Sequence, residues 1–581
     1  MKSMTRRQLI RTGGALAAAA AAGSATAAAA AGSATEQDAK IAKSPAGGAP
    51  LLLECRFIEK MLDGVRVKLR SYNGKVPGET IKARPGQTLR IRVKNSLPPT
   101  DSSGWNGNHN VPHMFDATNL HLHGLDIAPH LFQPLGTGNP LAKMIDIMPG
   151  KTYDYEFKIP GDQPPGLSWY HPHHHGSTAV QAVSGMAGPL ITYGDIDEVP
   201  EIKAARDILL AVQDIGLFPS EEDPNLWTYQ PKQNAMWDTI TGTVNIYNPK
   251  TGKMEPANLP GGFTAGDYKL RYFLLNGEPF FKETHNPNPK EPTHPVGTQL
   301  TVQRFVLAPG EVVRFRFLNA CSDNFMPIVV EGHDMHLIAI DSVNFEQTMT
   351  IPTPPTTKQL PVMQLTPNTA DPGQVAVPPG GRAEFLIKGA ATAGIYRIIQ
   401  LEQRQQFLQS DQKVIAEIEI KGDRKDMGIP SKLPVQRRYY PKIKPEEIKK
   451  VRNFVFSGIF PPVENPYVGI DFLINNNTYE ELAVPAVVGL ETAEEWHIQV
   501  LGAHHGGTEG HPFHVHVNHF EVISVNGQPA PKSPIADTVW VPLQSTVVIR
   551  SKFKQFTGKS VFHCHILPHE DTGMMVNFLI V

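Results

Sequence analysis

Wherever a regular pattern holds between Leu51 and Val581, apolar and polar residues alternate with a period of two. Arg90-Ile91-Arg92-Val93-Lys94, Arg314-Phe315-Arg316-Phe317 and Val547-Val548-Ile549-Arg550 predict strands with one polar and one apolar face, because successive side chains of an extended chain point to opposite sides. Turns punctuate these runs. Pro85-Gly86, Pro149-Gly150, Pro309-Gly310 and Pro379-Gly380 each stand just before a strand-like run, as connections do in recurring β-sandwich units. No helical pattern of about 15 residues competes with them. The apolar pattern lapses near Val199-Pro200 and through the basic, proline-containing stretch from Gly422 to Lys450, which marks both as boundaries. The chain is thus predicted to be all-β, with three sandwich domains at residues 51–200, 201–422 and 451–581 and linkers at 36–50 and 423–450.

Residues 1–35 follow a different rule. Thr5-Arg6-Arg7-Gln8-Leu9-Ile10 precedes an alanine-rich run from Gly13 to about Ala31 with A-x-A-like cleavage options, the pattern of a twin-arginine export signal. A transmembrane anchor is the competing reading, but alanine and glycine interrupted by Ser24 and Thr26 make a weak span. Beyond this segment no apolar run approaches the roughly 18 residues of a membrane helix. The mature protein is therefore expected outside the cytoplasm, periplasmic or secreted, with no membrane attachment.

Composition narrows the chemistry. Fifty-four basic against 56 acidic side chains leave a formal charge of −2, without the basic excess of a nucleic-acid binder. Three cysteines, Cys55, Cys321 and Cys564, cannot build a disulfide framework, so a cysteine in a patterned context points to metal or redox work. The 49 glycines and 52 prolines favour many turns and short strands.

Histidine placement carries the site. With 23 histidines in 581 residues, chance would give roughly one His-x-His pair. Four separate places have one: His121-Leu122-His123, His171-Pro172-His173, His514-Val515-His516 and His563-Cys564-His565. In an extended strand residues i and i+2 share a face, so each pair offers two imidazoles to one site. Converging, the four pairs supply more nitrogens than the about four that one zinc or copper ion takes, which suggests a multinuclear cluster between the first and third domains. Cys564 lies between two same-face histidines and must leave on the opposite face. His511, at odd offset from His514 and His516, and His569 and Met574 downstream complete the His-His-Cys-Met set of a blue-copper electron-transfer site. Cys564 is then a covalent bridge between this site and the cluster. Single buried histidines are commonly hydrogen-bonded core residues, and His pairs also bind zinc; four pairs with a Cys-centred set favour copper. His109, His113, His174, His175, His333, His336, His504, His505 and His519 are read as surface residues or as supports of the ligands.

The stretches His121-x-His123-Gly124, Trp169-Tyr170-His171-Pro172-His173, His511-Pro512-x-His514-x-His516 and His563-Cys564-His565-x-x-x-His569-x-x-x-Gly573-Met574 resemble the four copper signatures of the multicopper oxidases, particularly the bacterial three-domain laccase-like enzymes. The resemblance spans essentially the whole mature chain. It implies three cupredoxin-like Greek-key β-sandwich domains and four coppers: one type 1, one type 2 and a type 3 pair. On the same basis His511, Cys564 and His569 would bind the type 1 copper with Met574 axial, and His121 and His514 the type 2 copper. His123, His171, His173, His516, His563 and His565 would bind the type 3 pair. Glu570 resembles the family's proton-delivering acid, with a carboxylate that orients a ligand histidine as the alternative role. The family's Asp-Gly step after His-x-His-Gly is missing from Leu125-Asp126-Ile127-Ala128-Pro129-His130. Asp126 is the nearest carboxylate and stands too close to His123 to be an obvious equivalent.

The implied activity is a laccase-type oxidation by O2, acting as a monomer on phenols and aromatic amines that give up one electron at an exposed edge of His511 or His569. The alternative is a metallo-oxidase of Cu(I), Fe(II) or Mn(II). Soft thioethers capture Cu(I), and no Met occurs between Met427 and Met574, which lowers the cuprous option. A non-catalytic cupredoxin scaffold is opposed by the intact ligand set. A copper nitrite reductase is opposed by the three domains and the full set of eight histidines.

Overall fold

A computed structural model describes residues 49–102, 105, 107–220, 222–229, 242–248, 253–259, 268–284, 296–353, 375–404, 409–459, 471–501, 510–530 and 534–581. All of these fall in one compact unit, residues 39–581. The export segment and His504 and His505 lie outside the described residues.

Strands dominate the regular structure of the described residues, and the same sandwich arrangement recurs three times, one sheet of the first block running on into one sheet of the second. In the first block Leu51–Leu62 pairs parallel with Thr88–Asn95, which pairs antiparallel with Thr152–Lys158. In the second, Arg206–Pro219 runs parallel to Val312–Asn319, and Arg382–Lys388 follows antiparallel. In the third, Ile448–Ile459 runs parallel to Ala493–Val500, with Thr546–Lys552 next. The facing sheets repeat as well. Gly188–Thr192, Gly166–His171 and His121–His123 are consecutive antiparallel neighbours in the first block, and Met575–Ile580, Gly558–Cys564 and His511–Val515 in the third. In the middle block Lys413–Ile420, Gly394–Gln400 and Met326–Val330 take those places. Each block is thus a sandwich whose alternating inward side chains form the core, and the His-x-His strands occupy equivalent positions in blocks one and three. The middle block has Met326-Pro327-Ile328-Val329-Val330 where its neighbours have ligands.

All four Pro-Gly turns precede strands, and Gly86, Gly150, Gly310 and Gly380 have φ of 78°, 76°, 74° and 80°, the left-handed conformation that glycine adopts without steric cost. The third block places Glu491 and Gln544 at the equivalent turns with φ of 59° and 57°. Thr88–Asn95 alternates as expected, with Ile91 and Val93 buried and Arg90 and Arg92 exposed. Val312–Asn319 does not. Arg314 and Arg316 are buried too, because carboxylates meet them: Arg314 pairs with Asp197 and Glu384, and Arg316 with Asp207 and Glu384. The stretch expected to link domains two and three packs closely on the first block, where Arg438 Nε lies 2.6 Å from Asp126. Among the described residues no helix is long and apolar enough to cross a membrane.

Candidate metal centre

The ladders sort the ligands by face. His121 stands opposite His171 and His123 opposite Trp169; His514 stands opposite His563 and Phe513 opposite Cys564. Directly paired residues share a face and alternate residues share it with them. His511, Phe513 and Cys564 therefore point one way, and His514 and His563 the other. Four groups of three result, each with its ligand atoms within 4.8 Å of one another: His121, His123 and His514; His123, His171 and His565; His173, His516 and His563; and His511, Cys564 and His569. All these residues are buried. In the last group Cys564 Sγ lies 3.4 Å from His511 Nδ1 and 3.7 Å from His569 Nδ1. Met574 is buried, and its carbonyl accepts the Cys564 N–H at 3.0 Å.

Hydrogen bonds decide which nitrogen of each ring faces its group. His121 donates Nδ1–H to His130 Nε2 at 3.1 Å, His171 to Pro172 O at 2.9 Å, His514 to Asp537 O at 2.8 Å and His563 to Cys564 O at 2.9 Å. Each keeps an Nε2 lone pair. His123 is reversed, donating Nε2–H to Asp537 Oδ1 at 3.1 Å. Nε2 of His121, His171 and His514 and Nδ1 of His123 have no hydrogen-bond partner although buried. His563 Nε2 lies 3.1 Å from Nε2 of both His173 and His516. Buried lone pairs aimed at one another are costly unless a cation sits among them. Imidazoles in this number suit copper or zinc, and the thiolate-centred group suits copper.

Burial keeps these rings neutral, the ligand form, holding His171 and His511 down at about 3 and His563 at about 4. An unfolded histidine titrates near about 6.5. Metal-free protein should therefore lose stability as pH falls from about 6.5 toward 4 and 3, since the unfolded chain binds the protons that the folded rings refuse. Metal held by these groups would join strands of the first and third blocks, so its removal should lower the melting temperature at neutral pH. Calorimetry of apo and loaded protein checks this, and equal melting temperatures at verified occupancy would count against a cluster joining the blocks.

Carboxylates surround the rings. Glu570 is fully buried, with Oε1 3.2 Å from His173 Nδ1 and Oε2 3.2 Å from His563 Nδ1. Burial, reinforced by Asp571, holds its pKa well above the usual carboxylate range. Asp126 touches no residue of the four groups. It accepts from Arg438 Nε at 2.6 Å and from Tyr439, and its Oδ1 lies 3.1 Å from His519 Nδ1. Burial would raise its pKa, yet Arg438 and His519 bring it to about 2. Asp537, absent from the sequence reading, is the carboxylate that meets the cluster through His123 and His514. Burial opposes its charge, but Arg382 and His123 hold its pKa well below the usual range.

The remaining histidines are mostly not surface residues. His113, His174, His175, His333 and His519 are buried, whereas His109 is exposed and His336 half-buried. The exposed edge expected on His511 or His569 is absent: they are 3% and 4% exposed, and Phe472 stacks on His569 with ring centroids 3.9 Å apart. His130, which supports His121, was also not foreseen. Its signal is a histidine nine residues beyond His121 after Ala128-Pro129, whose Nε2 reaches back to His121 Nδ1 and the Leu122 N–H.

Models of multicopper oxidase domains match residues 58–116 and 109–195, 253–351 and 442–581. The chain is 24% identical over 508 residues to the multicopper oxidase mco of Staphylococcus haemolyticus, covering 87% of this chain and 82% of that one. It is 25% identical over 542 residues to laccase-4 of Thanatephorus cucumeris, covering 87% and 84%. In fold it is similar to the multicopper oxidase from Campylobacter jejuni, a metallo-oxidase, with a TM-score of 0.61, 21% identity and 91% of each chain covered.

Proposed function

Because the chain belongs to the multicopper oxidases, oxidoreductases that use O2 and a reductant, we propose that it is an exported, laccase-type enzyme that oxidises phenols and aromatic amines as a monomer. One observation carries the reading: Cys564 joins the His511 and His569 group while its neighbours His563 and His565 belong to two histidine groups. Copper held there would accept single electrons at the thiolate site and deliver four to O2 at the histidine cluster, giving two waters.

In this reading His511, Cys564 and His569, together with Met574, would hold the type 1 ion, and His121 and His514 the type 2 ion. His123, His171, His173, His516, His563 and His565 hold the type 3 pair. The close grouping of the last six as two triads supports that division. The peptide from Cys564 to its flanking histidines gives a through-bond path between the two sites. Phe472 over His569 and the burial of His511 keep water from the electron-accepting end. Glu570, whose burial beside Asp571 favours the protonated carboxyl, stands where it could hand a proton to the site between His173 and His563.

Copper analysis with O2 uptake on a panel of phenols, aromatic amines, Cu(I) and Fe(II) tests the assignment. Faster uptake with phenols and about one O2 per four electrons is expected; uptake with metal ions alone would make the enzyme a metallo-oxidase. For export, Arg6→Lys with Arg7→Lys should leave the precursor in the cytoplasm, since the paired arginines are the recognised feature. Undiminished export of that variant, measured by fractionation, would remove the twin-arginine assignment.

A further inference from the structure

The middle block contributes no residue to the four ligand groups, yet one of its turns reaches the cluster. Pro379-Gly380-Gly381 leads into the strand Arg382–Lys388. At Gly380 a Cβ would stand 2.7 Å from the His565 ring, so the backbone of this turn packs directly on a cluster imidazole. Two residues on, Arg382 is fully buried. Its Nη1 donates to Asp537 Oδ1 at 2.8 Å and its Nη2 to Oδ2 at 2.5 Å, while Nε donates to Leu167 O at 3.1 Å. A planar guanidinium fork on a carboxylate permits one orientation of both. In that orientation Oδ1 receives His123 Nε2–H, and the carbonyl of the same Asp537 receives His514 Nδ1–H. One residue thus selects the inward nitrogen of two histidines from opposite ends of the chain, Nδ1 in one and Nε2 in the other. A competing partner is close, since His519 Nε2 lies 3.5 Å from Asp537 Oδ2.

We propose that Arg382 and Asp537 are positioning residues of the copper cluster: Arg382 locks the Asp537 carboxylate, and Asp537 fixes His123 and His514 in the tautomers that bind metal. The middle domain thereby sets the geometry of a site it does not ligate. This rests on the reading of His123 and His514 as copper ligands. Without the fork the Thr538 hydroxyl, donating to Oδ1 at 2.9 Å, is left as the neighbouring restraint, the carboxylate can turn toward His519, and the His123 bond that keeps Nδ1 unprotonated is weakened.

The test uses the full-length, copper-loaded enzyme and its variants Arg382→Gln, Arg382→Lys and Asp537→Asn, with copper retention against a chelator, the type 2 electron paramagnetic resonance spectrum and the blue absorbance as readouts. Arg382→Gln should weaken cluster copper retention about 10- to 100-fold, the scale for losing an outer partner of a metal-bound histidine. It should shift the type 2 spectrum and leave the blue band of the His511, Cys564 and His569 site intact. Arg382→Lys, with the charge but not the fork, should shift the spectrum likewise. In an Asp537→Asn background, adding Arg382→Gln should change little, because the arginine acts through the carboxylate. An unchanged spectrum and retention in Arg382→Gln, additive effects in the double variant, or a fall in melting temperature with the cluster spectrum intact would each overturn the proposal. If Arg382→Gln does not fold, the near-isosteric Asp537→Asn decides on the same signals, an altered spectrum supporting and an unaltered one refuting. Wild-type protein without a type 2 signal would overturn the copper reading itself; a normal wild-type signal with indifferent variants overturns this inference alone.

Discussion

Cys564→Ser is expected to abolish the blue absorbance and reduce oxidase turnover to background, while copper in the histidine cluster is retained. The colour of such a site comes from the Cu(II)–thiolate bond, and a hydroxyl neither ionises at neutral pH nor offers the soft, polarisable sulfur that selects copper. Cys564 is fully buried between His511 and His569, so no other thiolate can replace it; Cys55 and Cys321 are buried elsewhere. Retention of the cluster follows from the ladder, in which His563 points to the face opposite to Cys564, and from the place of His565 in a histidine group without Cys564. Absorbance, total copper and O2 uptake on one sample check all three parts. A variant that stays blue refutes the thiolate assignment, and one that loses every copper shows that the two sites do not fold independently.

The parts of this protein legible in its sequence are those written in local periodicity. A period of two exposed the His-x-His pairs and placed Cys564 on the far face, and both follow from the geometry of one strand. The Pro-Gly turns were visible because proline and glycine mark a left-handed turn chemically. The corresponding turns of the third block were hidden, since Glu491 and Gln544 adopt positive φ there without either residue type. Partners brought in by the fold were also hidden. Asp537 meets His123 across 414 positions and Arg382 across 155, and no spacing rule links residues so distant. Arg314 and Arg316 misled for the same reason: an alternating strand shows which side chains share a face, not whether buried carboxylates wait there. The ligand edges at His511 and His569 were expected to be open because electrons must enter, but aromatic packing such as Phe472 lies outside any local motif.

Asp537 and Glu570 divide the work of the carboxylates around the cluster. Asp537 is forked by a guanidinium and stays anionic, suited to holding rings in place. Glu570 has no such cation. Buried beside Asp571, it stays protonated well above the usual carboxylate range, and Asp571, pushed up to about 7 mainly by burial, accepts the backbone N–H groups of Gly176 and Ala179 at 2.7 Å. A carboxyl whose protonated form is favoured is suited to delivering a proton.

Reduction of O2 to two waters consumes four protons, and Glu570→Gln tests where they pass. Glutamine keeps the size and much of the hydrogen bonding of the side chain beside His173 and His563 but cannot exchange a proton. The variant should hold its full copper complement, remain blue and accept electrons from substrate at a near-normal rate. Its reoxidation by O2 should slow by about 10²- to 10³-fold, the scale of losing a positioned general acid. Stopped-flow recovery of the blue band after anaerobic reduction measures this step separately from substrate oxidation. Unchanged reoxidation with reduced copper content would instead make Glu570 an orienting partner of His173 and His563, a role its 3.2 Å approach to both Nδ1 atoms also permits. Asp571 would then be the first carboxylate to test, because Asp537 and Asp126 are held well down by Arg382 and Arg438 whereas burial raises Asp571 to about 7.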